Sequence, residues 1–368
     1  MERAKEGDRV DVVLPKTSYY VETGGQVSDT GVIRAQSRDG KPAWTIEVDD
    51  VRQPVAGLVV HVGEVRRGQP EVGDEAVAAV DRERRMDIAR NHTATHLLQR
   101  ALRQTLGEHV QQAGSLVAPD RLRFDFTHPM MLTPEELTQV TTEVNEAILA
   151  NYAVDSSEMA YRQALEEGVI ALFGEKYGDV VRVLRVGDPD EPFSRELCGG
   201  THVHQTGAIG MFHIVSQESI GAGVRRIEAV TGRGAVDFVE NQLDRLERVA
   251  AHLGVPPQDL EKRVEELQAD LDQAQREIDR LHQRLARQDF ESLLAQVETV
   301  DGTSMIAARV EVAGVDALRE MTDWFRDRLT SGVFVLGTVM EGRPTLVASV
   351  TSDVVERGAD AGELARRM

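Results

Sequence analysis

Hydrophobic and polar residues alternate in short runs over the first part of the chain. Val10 and Val12 are separated by polar neighbours, and Ile46 and Val48 repeat the pattern further along. Alternation with a period of two is typical of strands that bury one face, and glycine and proline residues separate these runs. Short strands at this even spacing predict a small N-terminal β-barrel over 1–80.

The apolar spacing changes to a helical one after residue 80. Apolar residues recur at steps of three and four over 81–106, which is typical of an amphipathic helix. Residues 133–136 have the form of a capping box with proline at the first helical position, and they predict the start of a second helix. Later apolar runs predict buried strands. The block 81–235 is therefore predicted to be an α+β domain.

The segment 236–299 is acidic and helical in pattern. Its second predicted helix carries apolar residues in alternating steps of four and three, at Leu260, Val264, Leu267, Leu271, Ala274, Ile278, Leu281 and Leu285. This seam over 258–285 predicts a helical coiled-coil hairpin. Because the first arm is the shorter, part of the seam must meet another domain or another chain, and a homodimer through the seam is one outcome. The spacing in 300–368 predicts a partial C-terminal α/β domain.

Composition limits the classes of protein to which the chain can belong. The 368 residues include 42 basic and 62 acidic side chains, a formal net charge of −20. This charge argues against a surface that coats nucleic acid, although a local basic groove remains compatible with it. No apolar run reaches the roughly 18 residues of a membrane span, and the first residues lack the apolar core of a secretory signal. The single cysteine predicts a reducing, cytoplasmic setting.

Two short motifs supply the strongest chemical signal. His92-Thr-Ala-Thr-His96 places two imidazoles one helical turn apart, and Cys198-Gly-Gly-Thr-His202 repeats the separation with a thiol. Three imidazoles and a thiolate suit Zn²⁺ best. His92, His96, Cys198 and His202 are therefore predicted to bind one zinc ion. Spacing alone leaves open whether the site is closed and structural or has a free position for catalysis.

Several common catalytic motifs are absent from the sequence. There is no HExxH, no Walker A loop, no GxSxG elbow and no GxGxxG after a strand. The missing glutamate of HExxH removes the usual general base of metalloproteases. These absences weigh against a nucleotide-driven enzyme and against a serine hydrolase.

Further stretches resemble the editing region of alanyl-tRNA synthetases. They are the glycine-rich motif at 19–31, the two zinc motifs at 91–98 and 198–202, the intervening segments at 109–117 and 122–126, and the closing strand at 221–229. Their order and spacing agree as well, and the match is specific over about 8–235. The editing domains of threonyl-tRNA synthetases share the zinc motifs but not Gly24-Gly25-Gln26, so they are a weaker fit.

The resemblance implies hydrolysis of serine or glycine wrongly esterified to alanine tRNA, with Zn²⁺ as cofactor. It also implies an editing unit that acts as part of a synthetase or in trans to one. The chain lacks the family's aminoacylation domain, and it stops before the glycine-rich end of the C-terminal domain. An excised piece of a synthetase, an incomplete gene product and a long trans-editing factor all stay open.

Such an editing site must release alanine although alanine is smaller than serine. It must therefore recognise the serine hydroxyl with polar groups that an alanyl ester leaves unpaired. Gln112, which falls on the family's functional glutamine, and the hydroxyls of Thr30 and Thr201 are the catalytic candidates. Candidates for contacting the substrate or the tRNA phosphates are Gly24, Gly25, Gln26, Arg123, Arg225 and Arg226.

Two other classes of function stay open at this point. The chain is alternatively a non-catalytic module for tRNA binding or dimerisation, with a purely structural zinc. A metal-dependent hydrolase of small esters or amides is the third possibility, and it should act equally well on substrates without the nucleic acid.

Overall fold

The computed structural model describes residues 3–35, 42–171, 177–312, 314–340 and 342–367. The chain forms two compact units, Met1–Arg245 and Leu246–Met368. Four sheets and eight α-helices lie within the described residues, in agreement with the predicted α+β class. Among these residues, no helix is both long enough and apolar enough to cross a membrane. The finer division of the chain at 80, 235 and 299 stays a prediction.

The first unit begins with an antiparallel sheet of five strands. They are β1 (Arg9–Val13), β2 (Gly31–Ala35), β3 (Thr45–Val55), β4 (Leu58–Arg67) and β5 (Ala76–Val80). Their order is β1-β4-β3-β2-β5, so β1 and β5 form the two edges. A barrel needs every strand paired on both sides, whereas the described strands form no ladder between β1 and β5. The predicted barrel is therefore wrong, and the sheet is open.

The alternation that predicted these strands does correspond to one buried face. On β3, Ile46 and Val48 are buried, and Glu47 between them is exposed. They pack with Ile33, Trp44 and other residues into the core of this sheet. The strands were thus predictable from local pattern, but the pairing of the outer strands was not.

A long helix follows the sheet directly. Helix α1 (Arg82–Leu106) begins at Asp81, whose carboxylate accepts hydrogen bonds from the backbone N–H groups of Glu83 and Arg84. A carboxylate at this position satisfies donors that the first turn leaves unpaired. The middle of α1 is buried on nearly every side, from Ile88 to Leu102. This burial fixes the direction of the side chains that α1 carries to the candidate site.

The remaining elements of the first unit surround α1. They are β6 (Gln112–Val117), β7 (Leu122–Thr127), α2 (Pro134–Leu149), β8 (Val154–Ala160), α3 (Tyr161–Glu166), β9 (Val180–Gly187), β10 (Pro192–Leu197), β11 (Phe212–Gly221) and β12 (Val224–Thr231). One sheet has the order β11-β12-β7-β6 and another the order β10-β9-β8. The predicted capping box at Thr133 and Glu136 begins α2, which is confirmed. Phe124, Phe126 and Phe212 lie in the shared core with α1.

The unit boundary falls within helix α4 (Gly232–Leu253). The second unit contains α5 (Leu260–Leu294), β13 (Glu298–Val300), β14 (Thr303–Arg309), α6 (Val315–Arg328), β15 (Gly332–Met340), β16 (Arg343–Val350), α7 (Ser352–Glu356) and α8 (Ala361–Arg367). Its sheet has the order β13-β14-β15-β16, with β14 and β15 parallel. Leu318, Phe325 and Phe334 are fully buried in its core.

The heptad seam of α5 is largely exposed. Leu271 exposes 70% of its surface, and Ile278 and Leu285 expose 45% and 55%. Only the ends of the helix, at Leu260, Ala286 and Leu293, are buried. The predicted long helix is confirmed, whereas its packing as a coiled coil stays a prediction.

Candidate metal centre

Helix α1 carries the first two predicted ligands. His92 and His96 lie one turn apart on its buried stretch, and their rings are nearly parallel with centroids 5.3 Å apart. Both residues are almost completely buried, at 7% exposure. Because residues four apart share one helix face, the two imidazoles point to the same place.

The other two predicted ligands lie in the loop after β10. Cys198 donates its backbone N–H to the Arg182 carbonyl, and the Arg182 guanidinium in turn donates to the Gly200 carbonyl at 2.5 Å. A Cβ atom on Gly200 would lie 2.0 Å from Cε1 of His92. The loop can therefore approach α1 this closely only because residue 200 is glycine.

The structure brings the four predicted ligands together. Their ligand atoms all lie within 4.8 Å of one another. Cys198 Sγ is 3.3 Å from His92 Nε2 and 3.2 Å from His202 Nε2. His96 Nε2 is buried and has no hydrogen-bond partner among the described residues. A buried orphan nitrogen beside a thiol and two imidazoles fits a metal ion, and the His₃Cys donor set fits Zn²⁺.

Each imidazole is anchored through its other nitrogen. Nδ1 of His92 is 2.7 Å from Gln26 Oε1, and Nδ1 of His96 is 2.7 Å from Glu196 Oε2. Nδ1 of His202 is 3.2 Å from Thr93 Oγ1, whose own hydrogen goes to the Ala89 carbonyl. All three partners therefore act as acceptors, which assigns the proton to Nδ1 and leaves Nε2 free for a metal.

The charge of the sulfur also suits a metal site. Burial by itself raises the pKa of the Cys198 thiol, but His92, His202 and His96 lower it more, and the net pKa lies well below its usual value. The thiolate is the form of cysteine that binds metal. Burial and His92 together lower the pKa of His202 to about 3, so this imidazole is neutral. Burial also acts to lower the pKa of His96, but Glu196 and Cys198 outweigh burial and raise this pKa to about 10, so a metal would have to displace a proton from this imidazole.

A cavity of about 290 Å³ opens beside this cluster. His92, His96 and Cys198 are among its lining residues, whereas His202 is not. The lining also contains polar side chains, among them Tyr20, Thr23, Thr95, Gln112, Ser115 and Arg182. The cluster is thus accessible to a ligand from one direction.

Only two of the nine predicted catalytic and binding residues line the cavity. They are Gln112, whose Nε2 donates to Ser115 Oγ at 3.2 Å, and Gly24. Gly25 packs on β6, where a Cβ would lie 2.5 Å from Ser115 Oγ. Thr30 is not among the lining residues, and its carbonyl accepts a hydrogen bond from Asp81 N–H. The catalytic role of Thr30 therefore has no support from the cavity.

Gln26 and Thr201 lie behind the metal centre and do not line the cavity. Gln26 is fully buried and contacts His92, whereas Thr201 accepts a hydrogen bond from Gln26 Nε2 at 2.9 Å. This burial gives no support to the direct contact of Gln26 with a substrate that the sequence predicts.

The three predicted phosphate-binding arginines are engaged within the protein. Arg225 is buried, and its guanidinium donates to Ser219 and to several backbone carbonyls, including that of Pro129. Arg226 forms a bidentate pair with Asp125 at 2.7 and 2.9 Å. Arg123 lies 3.7 Å from the same carboxylate. These contacts stabilise β7 and β12, so a role in binding tRNA is not supported.

Three residues of the site were not predicted. Arg182 is the only arginine or lysine among the described residues that line the cavity. Burial raises the pKa of the cavity residue Tyr20, which keeps its phenol protonated. Glu196 accepts from Ser194 as well as His96. Its position near the end of β10, two residues before Cys198, was the one available signal.

Comparison with known proteins gives two matching families and a set of similar relatives. Residues 181–228, which include Arg182, Glu196 and the Cys198 loop, match the family described as "Threonyl and Alanyl tRNA synthetase second additional domain". Residues 1–84 match the family "tRNA synthetases class II (A)". A curated relative from Roseiflexus castenholzii, named Alanine--tRNA ligase, is 48% identical in an alignment of 383 positions that covers 99% of this chain. The chain belongs to the alanyl-tRNA synthetase family.

Relatives from other organisms give the same result. Proteins with that name from Chloroflexus aurantiacus and Acetivibrio thermocellus are 47% and 44% identical, again over 99% of this chain. The family resemblance of the sequence motifs is therefore confirmed. This alanyl-tRNA synthetase-family chain spans about 42% of the length of the Roseiflexus relative and 41% and 40% of the other two.

Proposed function

We propose that the first unit is a zinc-dependent deacylase that removes serine or glycine wrongly esterified to alanine tRNA. The observation that carries the proposal is one cavity lined both by three members of the His and Cys cluster and by hydroxyl and amide groups. His92, His96, Cys198 and His202 would hold the metal. When bound, Zn²⁺ supplies a Lewis acid beside the ester.

Polar side chains that line the cavity support selection for serine. Gln112 and Ser115 form a hydrogen-bonded pair of a carboxamide and a hydroxyl, and both line the cavity. A seryl hydroxyl can exchange hydrogen bonds with this pair. An alanyl ester leaves the same groups unpaired, and a site built to bind a hydroxyl rejects a ligand that lacks one far more strongly than size alone allows.

The cationic residue of the cavity supports a nucleic-acid substrate. Arg182 is half-buried, and within the described residues no carboxylate forms an ion pair with it. The ester of an aminoacyl-tRNA is carried by the terminal adenosine, whose 5′ phosphate lies one ribose away from the reacting carbonyl. We assign that phosphate to Arg182, because guanidinium groups bind phosphate through paired N–H donors.

The four-ligand cluster also favours a second candidate function. Zinc with four protein ligands is ordinarily structural, so the alternative is a tRNA-binding or dimerisation module without catalysis. The access of the cavity to three of the four ligands argues for the catalytic function.

One assay separates the two candidates. The zinc-loaded chain should hydrolyse seryl-tRNA of the alanine acceptor much faster than alanyl-tRNA, and a chelator should abolish hydrolysis. Gln112→Met should reduce the preference for the seryl ester while zinc stays bound. Binding of tRNA without deacylation would show that the structural alternative is correct. Equal hydrolysis of small seryl esters without nucleic acid would instead favour a small-ester hydrolase.

A further inference from the structure

The sequence predicts that Gln26 contacts the substrate, whereas the structure places its side chain in the protein interior. Its side chain has no exposed surface, and it follows a turn in which Gly24 and Gly25 have positive φ. The turn is fixed to β6, because Val117 N–H donates to the Gly25 carbonyl at 2.7 Å and Val27 N–H donates to the Val117 carbonyl at 3.1 Å. The backbone therefore aims Gln26 at the metal centre.

The carboxamide of Gln26 makes three hydrogen bonds at once. Oε1 lies 2.9 Å from the backbone nitrogen of Thr201 and 2.7 Å from Nδ1 of His92. Nε2 donates to Thr201 Oγ1 at 2.9 Å. Both lone pairs of Oε1 and one of the two Nε2 hydrogens are thus used, on a side chain with no exposed surface.

These partners fix first the orientation of the Gln26 carboxamide and then the tautomer of His92. The backbone N–H of Thr201 can only donate, so the oxygen of the carboxamide, and not its nitrogen, must face Thr201. The same oxygen then faces His92, so Nδ1 of His92 must carry the proton. The free lone pair of His92 is therefore on Nε2, the atom 3.3 Å from Cys198 Sγ.

Gly200 packs directly against both the Gln26 carboxamide and the His92 ring. A Cβ on Gly200 would lie 2.8 Å from Gln26 Oε1 as well as 2.0 Å from the His92 ring. The glycine-rich turn, helix α1 and the Cys198–His202 loop therefore meet at this one carboxamide. Of the three anchoring acceptors, Gln26 alone binds both a histidine on α1 and the loop that carries Cys198 and His202.

We propose that Gln26 is a positioning residue that sets the tautomer of His92 and fixes the Cys198–His202 loop for metal binding. It touches neither the cavity nor a substrate. The inference rests on the metal centre of the proposed function, but it does not need the deacylation to be correct.

The test compares zinc affinity in three variants of the full chain. Gln26→Met keeps the length of the side chain and removes all three hydrogen bonds, and it should weaken zinc binding by about 10- to 100-fold, the usual effect of losing an outer partner of a ligating histidine. Gln26→Glu keeps acceptors for His92 and Thr201 N–H, and it should stay within about threefold of the wild type. Gln112→Met, a cavity glutamine, is the matched control and should bind zinc normally.

Zinc affinity is measured by competition with a chromophoric chelator in the absence of tRNA, and Co²⁺ absorption reports the geometry of the ligands. Wild-type zinc affinity and an unchanged Co²⁺ spectrum in Gln26→Met would overturn the proposal. If Gln26→Met does not fold, Gln26→Glu decides alone, because a loss of affinity beyond tenfold there contradicts the proposal. Absence of deacylation in a wild type that binds zinc would refute the proposed function and leave Gln26 in its role.

Discussion

The two longest helices with clear repeats, α1 and α5, have opposite surroundings. The histidines of α1 are at most 7% exposed, and each is held by a side chain distant in sequence. The seam of α5 is exposed along most of its length. A repeat in the sequence predicts which residues share a helix face, but it does not predict which residues pack against that face. Other residues of the first unit pack against α1, and we expect a second copy of the chain to pack against α5.

The largest expected effect comes from removing the sulfur of the metal centre. Cys198→Ala leaves three imidazoles and no thiolate. A Lewis acid contributes several kcal/mol to hydrolysis, so we expect deacylation of seryl-tRNA to fall by about 1,000-fold or more. Metal content is measured in parallel, and circular dichroism checks that the fold persists. Unchanged deacylation in this variant after chelation would contradict the zinc mechanism and the contrast between the two helices.

The exposed seam of α5 can also be tested by a single substitution. Leu271→Asp places a charge in a position that a dimer would bury in both copies. Burial of one leucine contributes about 1.5 kcal/mol or more, so two copies should raise the dimer dissociation constant about 100-fold. Light scattering after gel filtration measures the mass. Gln273→Asp adds the same charge off the seam and should leave the dimer intact.

The seam variant also tests the independence of the two helices. Leu271→Asp should leave deacylation at the wild-type rate, because no residue of the candidate site lies on α5. A wild-type chain that is monomeric at all concentrations would show that the exposed seam is covered by something other than a second copy. Loss of deacylation together with the dimer would show that the metal centre depends on assembly.

The same contrast explains what could be read from the sequence. Helix α1, the capping box of α2 and the four metal-ligand candidates were predictable, because each depends on residues a few positions apart. The open edge of the first sheet was not, since closure depends on pairing between β1 and β5, which are far apart in sequence. The intramolecular partners of Arg225 and Arg226 could not be predicted for a related reason. Adjacent arginines in a strand say nothing about Asp125 or the Pro129 carbonyl, which lie about 100 positions away.

Arg182 gives a smaller effect that depends on the substrate. Arg182→Gln should lower kcat/KM for seryl-tRNA about tenfold, mostly through KM, because a charge-assisted hydrogen bond contributes about 1.5 kcal/mol. It should leave hydrolysis of a seryl ester of adenosine unchanged, since that compound has no 5′ phosphate. Arg185→Gln, on the same strand and paired with exposed Asp155, is the control. Equal losses of kcat/KM on both substrates would show that Arg182 acts by holding the Cys198–His202 loop and not by binding phosphate.

The smallest expected effect is on the pH dependence of stability, and it concerns a buried histidine that lies outside the candidate metal centre. His61 is fully buried in the first sheet, with Thr17 Oγ1 at 2.8 Å from Nε2 and the Val12 carbonyl at 3.1 Å from Nδ1. Burial lowers its pKa below the ordinary 6.5. The unfolded state therefore binds the proton first, and stability is present above about pH 6.5 and is lost as the pH falls from there through the folded-state pKa.

The expected loss is on the order of 1 kcal/mol per pH unit below 6.5. It is measured by urea unfolding at pH 7.5 and 5.5, with Trp44 as the probe in a Trp324→Phe background. His61→Gln should reduce the pH dependence, whereas His252→Gln, an exposed histidine on α4, should not. Loss of a bound metal at low pH would also destabilise the first unit, so the result is the difference in pH dependence between the two variants. Identical pH dependence in both would show that His61 does not limit acid stability.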